Sequence, residues 1–272
     1  RARETLFTEL NNASPDFAKE ARKILYEKLA SNQNKPLLGE LFPWIIKDLV
    51  KGNAEATHKV SVAWLAIYLY TLFLDDYVDN PKPLTATQFI TGSMLAKTGL
   101  LKLSKLTNNT PYEKVINKAV SLSAYNQSLD IRFQKQTLQT SVKAKYSKGK
   151  NYIIFACAGA LAAQNSKYGK FITQFTNQLL LALQYLDDIA DYKKDIRDNN
   201  VTVLLNYALQ KGPFSKIDRK NVTDRKLLAE LLSTGALERV LNKIRILLNQ
   251  SIIAIQHQNL PQNSKSSSTD LF

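Results

Sequence analysis

Two long apolar runs in this chain each end in nearly the same acidic cluster, and that pairing restricts the fold more than any other feature. The first cluster is Asp75-Asp76-Tyr77-Val78-Asp79, which follows the run from Trp64 to Leu74. The second is Asp187-Asp188-Ile189-Ala190-Asp191, which follows Phe175 to Leu186, with Asp195 one further helical turn on. Both runs have helical periodicity and are apolar enough to require burial. The carboxylates therefore belong at the mouth of an apolar interior. On a helix Asp75 and Asp79 share a face at i, i+4, and Asp187, Asp191 and Asp195 repeat that step twice. Like charges stacked along one face are unfavourable unless a cation neutralises them. Hard divalent ions such as Mg²⁺ take oxygen ligands and bridge carboxylates to phosphates. One such cluster in a lysine-rich chain is commonly a solvated helix end. Two copies, about 110 residues apart and each closing an apolar helix, point to a site for a molecule with a diphosphate head and a hydrocarbon tail.

The chain can build the interior this needs. It has 272 residues, 44% of them hydrophobic, enough for one substantial core. Glycine and proline are sparse, at 9 and 8, which favours helices over strands. The longest apolar stretch, Val60 to Leu74, carries Tyr and Trp and runs into acids, so it reads as a core helix and not a membrane span. Cys157 is the only cysteine, which rules out an intramolecular disulfide and a cysteine metal cluster and suits a cytoplasmic location. It lies among Ala156, Ala158, Gly159 and Ala160, where packing is its expected role. Neither His58 nor His257 has metal-ligand spacing. The net charge of +14 is spread along the chain, with no aromatic-basic recognition element, so a nucleic-acid partner is not expected. The excess suits attraction of diphosphates or peripheral contact with an anionic membrane. No secretory signal opens the chain, which starts at Arg1 and not at Met and so leaves room for an upstream segment.

Break signals divide the sequence into helices. Ser14-Pro15-Asp16 starts one that runs to about Ala30, and others span Leu38 to Lys51 and Glu55 to Asp79. Asn80-Pro81-Lys82-Pro83 stops the last of these, and Thr85 or Thr87 starts the next, to about Leu106. A helix opens after Asn108-Asn109-Thr110-Pro111 and reaches about Gln139; another runs from Lys148-Gly149-Lys150 to Gln164. Tyr168 to Arg197 reads as one long helix, followed by Val201 to Gln210. Thr223-Asp224 and Thr234-Gly235 bracket the final pair. The expectation is an all-α, single-domain helical bundle over 1–257, with 258–272 as a polar, flexible tail.

Together these residues resemble the class I isoprenoid synthase family, specifically its trans-prenyl diphosphate synthase branch, over roughly Ala54 to Leu205. Asp75-Asp76-x-x-Asp79 is similar to that family's first aspartate-rich motif. Gln184-Tyr185-Leu186-Asp187-Asp188-x-x-Asp191 is similar to the second. Between them Asn126-Gln127-Ser128-Leu129-Asp130 resembles the Gly-Gln-x-x-Asp helix, and Lys150-Asn151 resembles the Lys-Thr element. The resemblance implies a bundle of ten or more helices around a deep apolar cavity, often homodimeric, with three Mg²⁺ ions between the acidic motifs. It makes Asp75, Asp76, Asp79, Asp187, Asp188, Asp191 and Asp195 the metal ligands, with Lys150, Gln127 and Asp130 toward the diphosphate. Counting back from Asp75 by helical steps gives Thr71, Tyr68 and Trp64; counting back from Asp187 gives Leu183, Leu180 and Thr176, with Gln184 beside them. These are the expected walls of the cavity, with Phe155 opposite. Tyr70, five residues before the first motif, occupies the position that limits tail length in that branch.

Two departures shape the functional expectation. Chain-elongating members hold isopentenyl diphosphate with an N-terminal Gly-Gly-Lys-Arg element and an arginine pair after the first motif. Here Lys35-Pro36-Leu37-Leu38-Gly39 offers one lysine, and Asn80-Pro81-Lys82-Pro83-Leu84-Thr85 contains no arginine. Asp187, Asp191 and Asp195 also fall at the spacing of the Asn/Ser/Glu metal triad of the class I terpene cyclases, with Asp in place of Asn and Ser and Lys194-Asp195 matching the Lys-Glu ending. The expectation is a terpene synthase on a prenyl-synthase-like scaffold, acting on one allylic prenyl diphosphate. The alternatives are a prenyltransferase, whether elongating or using another acceptor, and a non-catalytic partner subunit.

Overall fold

The computed structural model describes residues 1–31, 38–79, 85–133, 153–197, 202–209 and 223–257. Among them there are twelve α-helices, one 3₁₀ turn and no strand. In chain order they are α1 (Ala2–Ala13), α2 (Pro15–Ser31), α3 (Leu38–Val50), α4 (Ala54–Asp79), α5 (Ala86–Thr107), α6 (Glu113–Phe133) and α7 (Ile154–Gln164). After the 3₁₀ turn Ser166–Tyr168 come α8 (Gly169–Ala190), α9 (Tyr192–Arg197), α10 (Val203–Leu209), α11 (Asp224–Ser233) and α12 (Ala236–His257). The all-α expectation holds.

The described residues group into two compact units, the first formed by Arg1–Ala119 with Ile154–Thr173 and the second by the remainder. The first is built around α4. Every residue from Val60 to Ile67 is buried, so this stretch of the helix has no solvent face and must be surrounded. Helices α1, α2, α3, α5 and α7 pack on it. By length and composition Ala54–Leu74 could cross a membrane, but its burial makes it the core helix that its aromatic content indicated. Its two buried hydroxyls are satisfied within the helix, Thr57 donating to Asn53 O at 2.8 Å and Ser61 to Thr57 O at 2.8 Å.

Helix α5 meets α4 through Gly92 and Gly99, two turns apart and on one face. A Cβ at Gly99 would stand 2.8 Å from the carbonyl oxygen of Ala63, and one at Gly92 would stand 2.8 Å from the Phe73 ring. The helices approach as closely as they do because those atoms are missing. The start of α5 is the capping box that the sequence left open between Thr85 and Thr87. Thr85 Oγ1 accepts from Gln88 N at 3.2 Å, and Thr85 N donates to Gln88 Oε1 at 3.1 Å.

The second unit packs Ala182 and Tyr185 of α8 with Val203, Leu204, Leu205 and Ala208 of α10, Leu227 and Leu231 of α11, and Ala236, Val240 and Ile244 of α12. Burying each valine, leucine or isoleucine of this set stabilises by about 1.5–3 kcal/mol before entropy is counted. Gly235, at φ +68°, turns α11 into α12 in a conformation that L side chains rarely adopt.

Two readings of the chain change. Helix α1 was not expected, although Leu6, Phe7 and Leu10 share a buried face on it. The helix read as continuous from Tyr168 to Arg197 is instead a 3₁₀ turn, α8 and α9, broken at Asp191. Asp is a poor helix former, and carboxylates at 187, 188, 191 and 195 repel one another at helical spacing, so a straight continuation is unfavourable there. The helix start at Lys148-Gly149-Lys150, the end of α6 near Gln139 and the tail 258–272 lie outside the described residues.

Candidate functional site

The first acidic cluster occupies the last turn and a half of α4, within which Asp75 and Asp79 stand one helical turn apart. The side chains of Asp75, Asp76 and Asp79 lie outside the described residues. Toward them α4 passes from full burial at Val60–Ile67 to half-burial at Tyr70, Thr71, Leu72, Phe73 and Leu74. Exposure therefore rises along the helix in the direction of the acids.

The expected wall residues on α4 separate in role. Trp64 is 2% exposed, donates its indole N–H to Gly39 O at 2.7 Å, and stacks on Tyr68 with ring centroids 5.9 Å apart. It holds α3 against α4. Tyr68 is half-buried and lies so near Gly39 that a Cβ there would come within 2.4 Å of its ring. Thr71 returns its hydroxyl proton to Tyr68 O at 2.7 Å. Tyr70 packs against the apolar cluster that α1 and α2 share with α4, and burial pushes its phenol pKa up, so it stays neutral. Phe155 is buried on α7. Gln127 and Asp130 lie on α6, but their side chains, like all of Lys150, lie outside the described residues.

The second cluster ends α8. On this helix Leu180, Leu183 and Asp187 form a stripe whose exposure rises from half-buried to exposed, while Thr176 at its base and neighbouring Gln184 are buried. Asp187 and Asp191 are both exposed, on successive turns, with Asp191 N donating to Asp187 O at 2.9 Å. The same backbone link repeats from Asp195 N to Asp191 O at 3.0 Å, so the four-residue register crosses the break into α9. Asp188 has the opposite environment. It is 2% exposed, and its Oδ2 accepts the backbone N–H of Val203, the first residue of α10, at 3.0 Å. Thr202 Oγ1 caps the same helix end by accepting from Leu205 N at 3.1 Å.

Asp224, which the sequence marked only as a helix start, proves to be an anchor. Its carboxylate meets Lys193 Nζ at 2.9 Å and Arg197 Nη2 at 2.5 Å, tying α9 to the first turn of α11. The hydrogen bond from Lys193 leads the causes that hold the Asp224 carboxyl below the usual carboxylate range. No sequence signal pairs these residues, because the partners are 27 and 31 positions away.

Both clusters present only carboxylate oxygens, a donor set that suits a hard divalent cation, and Asp187 with Asp191 supplies two exposed carboxylates one turn apart. Among the described residues, no three His, Cys, Asp or Glu side chains converge on a metal position. Cys157 is fully buried, and burial raises its thiol well above the ordinary value, so it is a packing residue and no nucleophile.

No protein-family model matches the sequence, and no curated protein does. Solved structures do. The chain is similar to the geranylgeranyl pyrophosphate synthetase of the archaeon Geoglobus acetivorans, with TM-score 0.75 and 15% identity over 99% of this chain and 93% of that one. It is similar to the polyprenyl synthase of Caulobacter crescentus CB15, solved with calcium and isoprenyl diphosphate, with TM-score 0.68 and 17% identity over 96% and 94%. The octaprenyl pyrophosphate synthase of Helicobacter pylori matches with TM-score 0.68 and 15% identity over 98% of both chains. The chain thus has the all-α fold of the trans-prenyl diphosphate synthases, as its two acidic motifs implied.

Proposed function

We propose that the chain is a Mg²⁺-dependent class I prenyltransferase, with residues 1–257 as its catalytic domain, acting on an allylic prenyl diphosphate. The observation that carries this reading is the placement of the two acidic clusters. They end α4 and α8 of a fold shared with geranylgeranyl and octaprenyl diphosphate synthases. The fold moves the weight from the single-substrate terpene synthase to prenyl transfer.

Asp75, Asp79, Asp187 and Asp191 are the residues that would hold Mg²⁺, as a set of three ions by the family resemblance. When bound, the metal supplies positive charge to the departing diphosphate. The chain's own residues do the rest. By the family resemblance Lys150, Gln127, Asp130 and Gln184 are the residues that would meet the diphosphate. An allylic carbon that has lost its oxygen needs apolar surroundings that exclude water, a role that the family resemblance gives to Tyr68, Thr71, Leu180 and Leu183. The C–O bond of the allylic diphosphate breaks with its electron pair leaving on diphosphate. A new C–C bond forms to the double bond of isopentenyl diphosphate, which then loses a proton.

A second reading rests on one observation. Neither Lys35–Gly39 nor Asn80–Thr85 contains an arginine to hold isopentenyl diphosphate, so a single-substrate reaction releasing a hydrocarbon or alcohol has its own support. Lys35, Lys47 and Lys82 are the lysines that the sequence offers to rebuild that site. Incubation with Mg²⁺ and geranyl, farnesyl or geranylgeranyl diphosphate, each with and without isopentenyl diphosphate, separates the two. A longer prenyl diphosphate formed only with isopentenyl diphosphate supports transfer; a prenyl alcohol or cyclic hydrocarbon formed equally without it supports the terpene synthase; no diphosphate release overturns both. The same resemblance motivates a homodimer, tested by sedimentation. The net charge of +14 motivates contact with anionic membranes, tested by vesicle co-sedimentation.

A further inference from the structure

The two adjacent aspartates of the second motif have opposite surroundings. Asp187 is exposed, as is Asp191 one turn later, whereas Asp188 is 2% exposed. A carboxylate that deep needs hydrogen-bond donors, and the structure provides one in the backbone N–H of Val203, 3.0 Å from Asp188 Oδ2. Val203 opens α10, whose Val203, Leu204, Leu205 and Ala208 are all buried in the core shared with α11 and α12. The same helix end receives Thr202 Oγ1 at Leu205 N, 3.1 Å away. One end of α10 is therefore held by two side chains, and one of them lies on the last turn of the helix that carries Asp187.

We propose that Asp188 is the positioning residue of the second acidic motif and not one of its metal ligands: it fastens the last turn of α8 to the start of α10 and so holds Asp187 and Asp191 in place. This rests on the prenyltransferase reading for what the motif binds, but the latch itself does not. A carboxylate whose oxygen is engaged by a buried amide is directed away from the solvent face on which Asp187 and Asp191 lie. What the position requires is an acceptor oxygen more than a negative charge, and that separates it from its neighbours.

The test uses the full chain with Asp188→Ala, Asp188→Asn and, for reference, Asp187→Asn. Amide hydrogen exchange of Val203 and Leu205 is measured without metal or substrate. The Mg²⁺ concentration giving half-maximal release of diphosphate from geranyl diphosphate in the presence of isopentenyl diphosphate is measured separately. Asp188→Ala should speed Val203 exchange roughly tenfold and raise the Mg²⁺ requirement. Asp188→Asn keeps an acceptor oxygen and should leave both within about threefold of the parent. Asp187→Asn should shift the Mg²⁺ response and leave Val203 exchange as it was. If Asp188→Asn shifts the Mg²⁺ response as far as Asp187→Asn does, the charge is the function and the proposal fails. It also fails if Asp188→Ala leaves Val203 exchange unchanged. Should Asp188→Ala not fold, the Asn variant decides. If the parent protein releases no diphosphate, the prenyltransferase reading has failed, and the exchange measurement alone decides whether Asp188 latches α10.

Discussion

Asp187 and Asp188 are the same residue type in adjacent positions, and their surroundings give them different chemistry. An exposed carboxylate lies where a cation from solvent can reach it, while a buried one must be matched by a donor from the protein itself. Asp187→Ala or Asp75→Ala should therefore lower turnover by about three orders of magnitude or more. Circular dichroism should show the helical content intact, and EDTA should abolish turnover in the parent; normal turnover in EDTA would end the metal-diphosphate reading. Cys157 offers a test that needs no substrate. Its burial raises the thiol pKa, so the reactive thiolate is scarce and shielded. Reaction with an aromatic disulfide reagent should be roughly a hundredfold slower in the native protein than in urea. Equal rates would place the α7 interior in contact with solvent. Both aspartates were visible in the sequence as members of one motif. Their division of labour was not, because it depends on Val203, fifteen residues away.

At the scale of elements, the α4–α5 contact depends on missing side-chain atoms. Adding a branched side chain at Gly99 forces Cβ against Ala63 O and Ile67, which α4 cannot yield without moving its core. Gly99→Val should cost about 2–4 kcal/mol, read as a lower urea midpoint at unchanged slope. Thr85→Ala removes half of the α5 capping box and should cost about 1 kcal/mol in the same experiment. The α9–α11 link is electrostatic and has its own pH signature. Asp224 has a folded-state pKa below its unfolded one, because of Lys193 and Arg197. The stabilisation it provides is thus present above the unfolded value, about 3.9, and is lost as pH falls through the lower folded value. Asp224→Asn should melt below the parent at neutral pH, and the gap should close in acid and shrink in high salt. A gap that persists at pH 2 would mean that packing, and not charge, joins the two helices. Helix starts such as Ser14-Pro15 and Thr85 were legible because caps are local chemistry. The break at Asp191 was not, since it follows from charges crowding at the end of α8 that a periodicity count does not weigh.

At the scale of the molecule, the proposed chemistry predicts a determinant of chain length. If Tyr70 limits the length of the tail, Tyr70→Ala should shift products or accepted substrates toward longer prenyl chains, seen by mass spectrometry of the extracted products. An unchanged length distribution would assign Tyr70 to packing against the α1–α2 cluster alone. The sequence by itself determined that the chain is all-helical, that α4 is its core helix, and that acids close two apolar helices. These follow from local periodicity, capping residues and composition, which neighbours along the chain carry between them. Only the tertiary structure decided that Trp64 serves α3, that Asp224 anchors α9 and that Asp188 points inward. Each of these depends on a contact or an arrangement between residues far apart in the chain, and burial and charge pairing across such distances leave no periodic trace in one sequence.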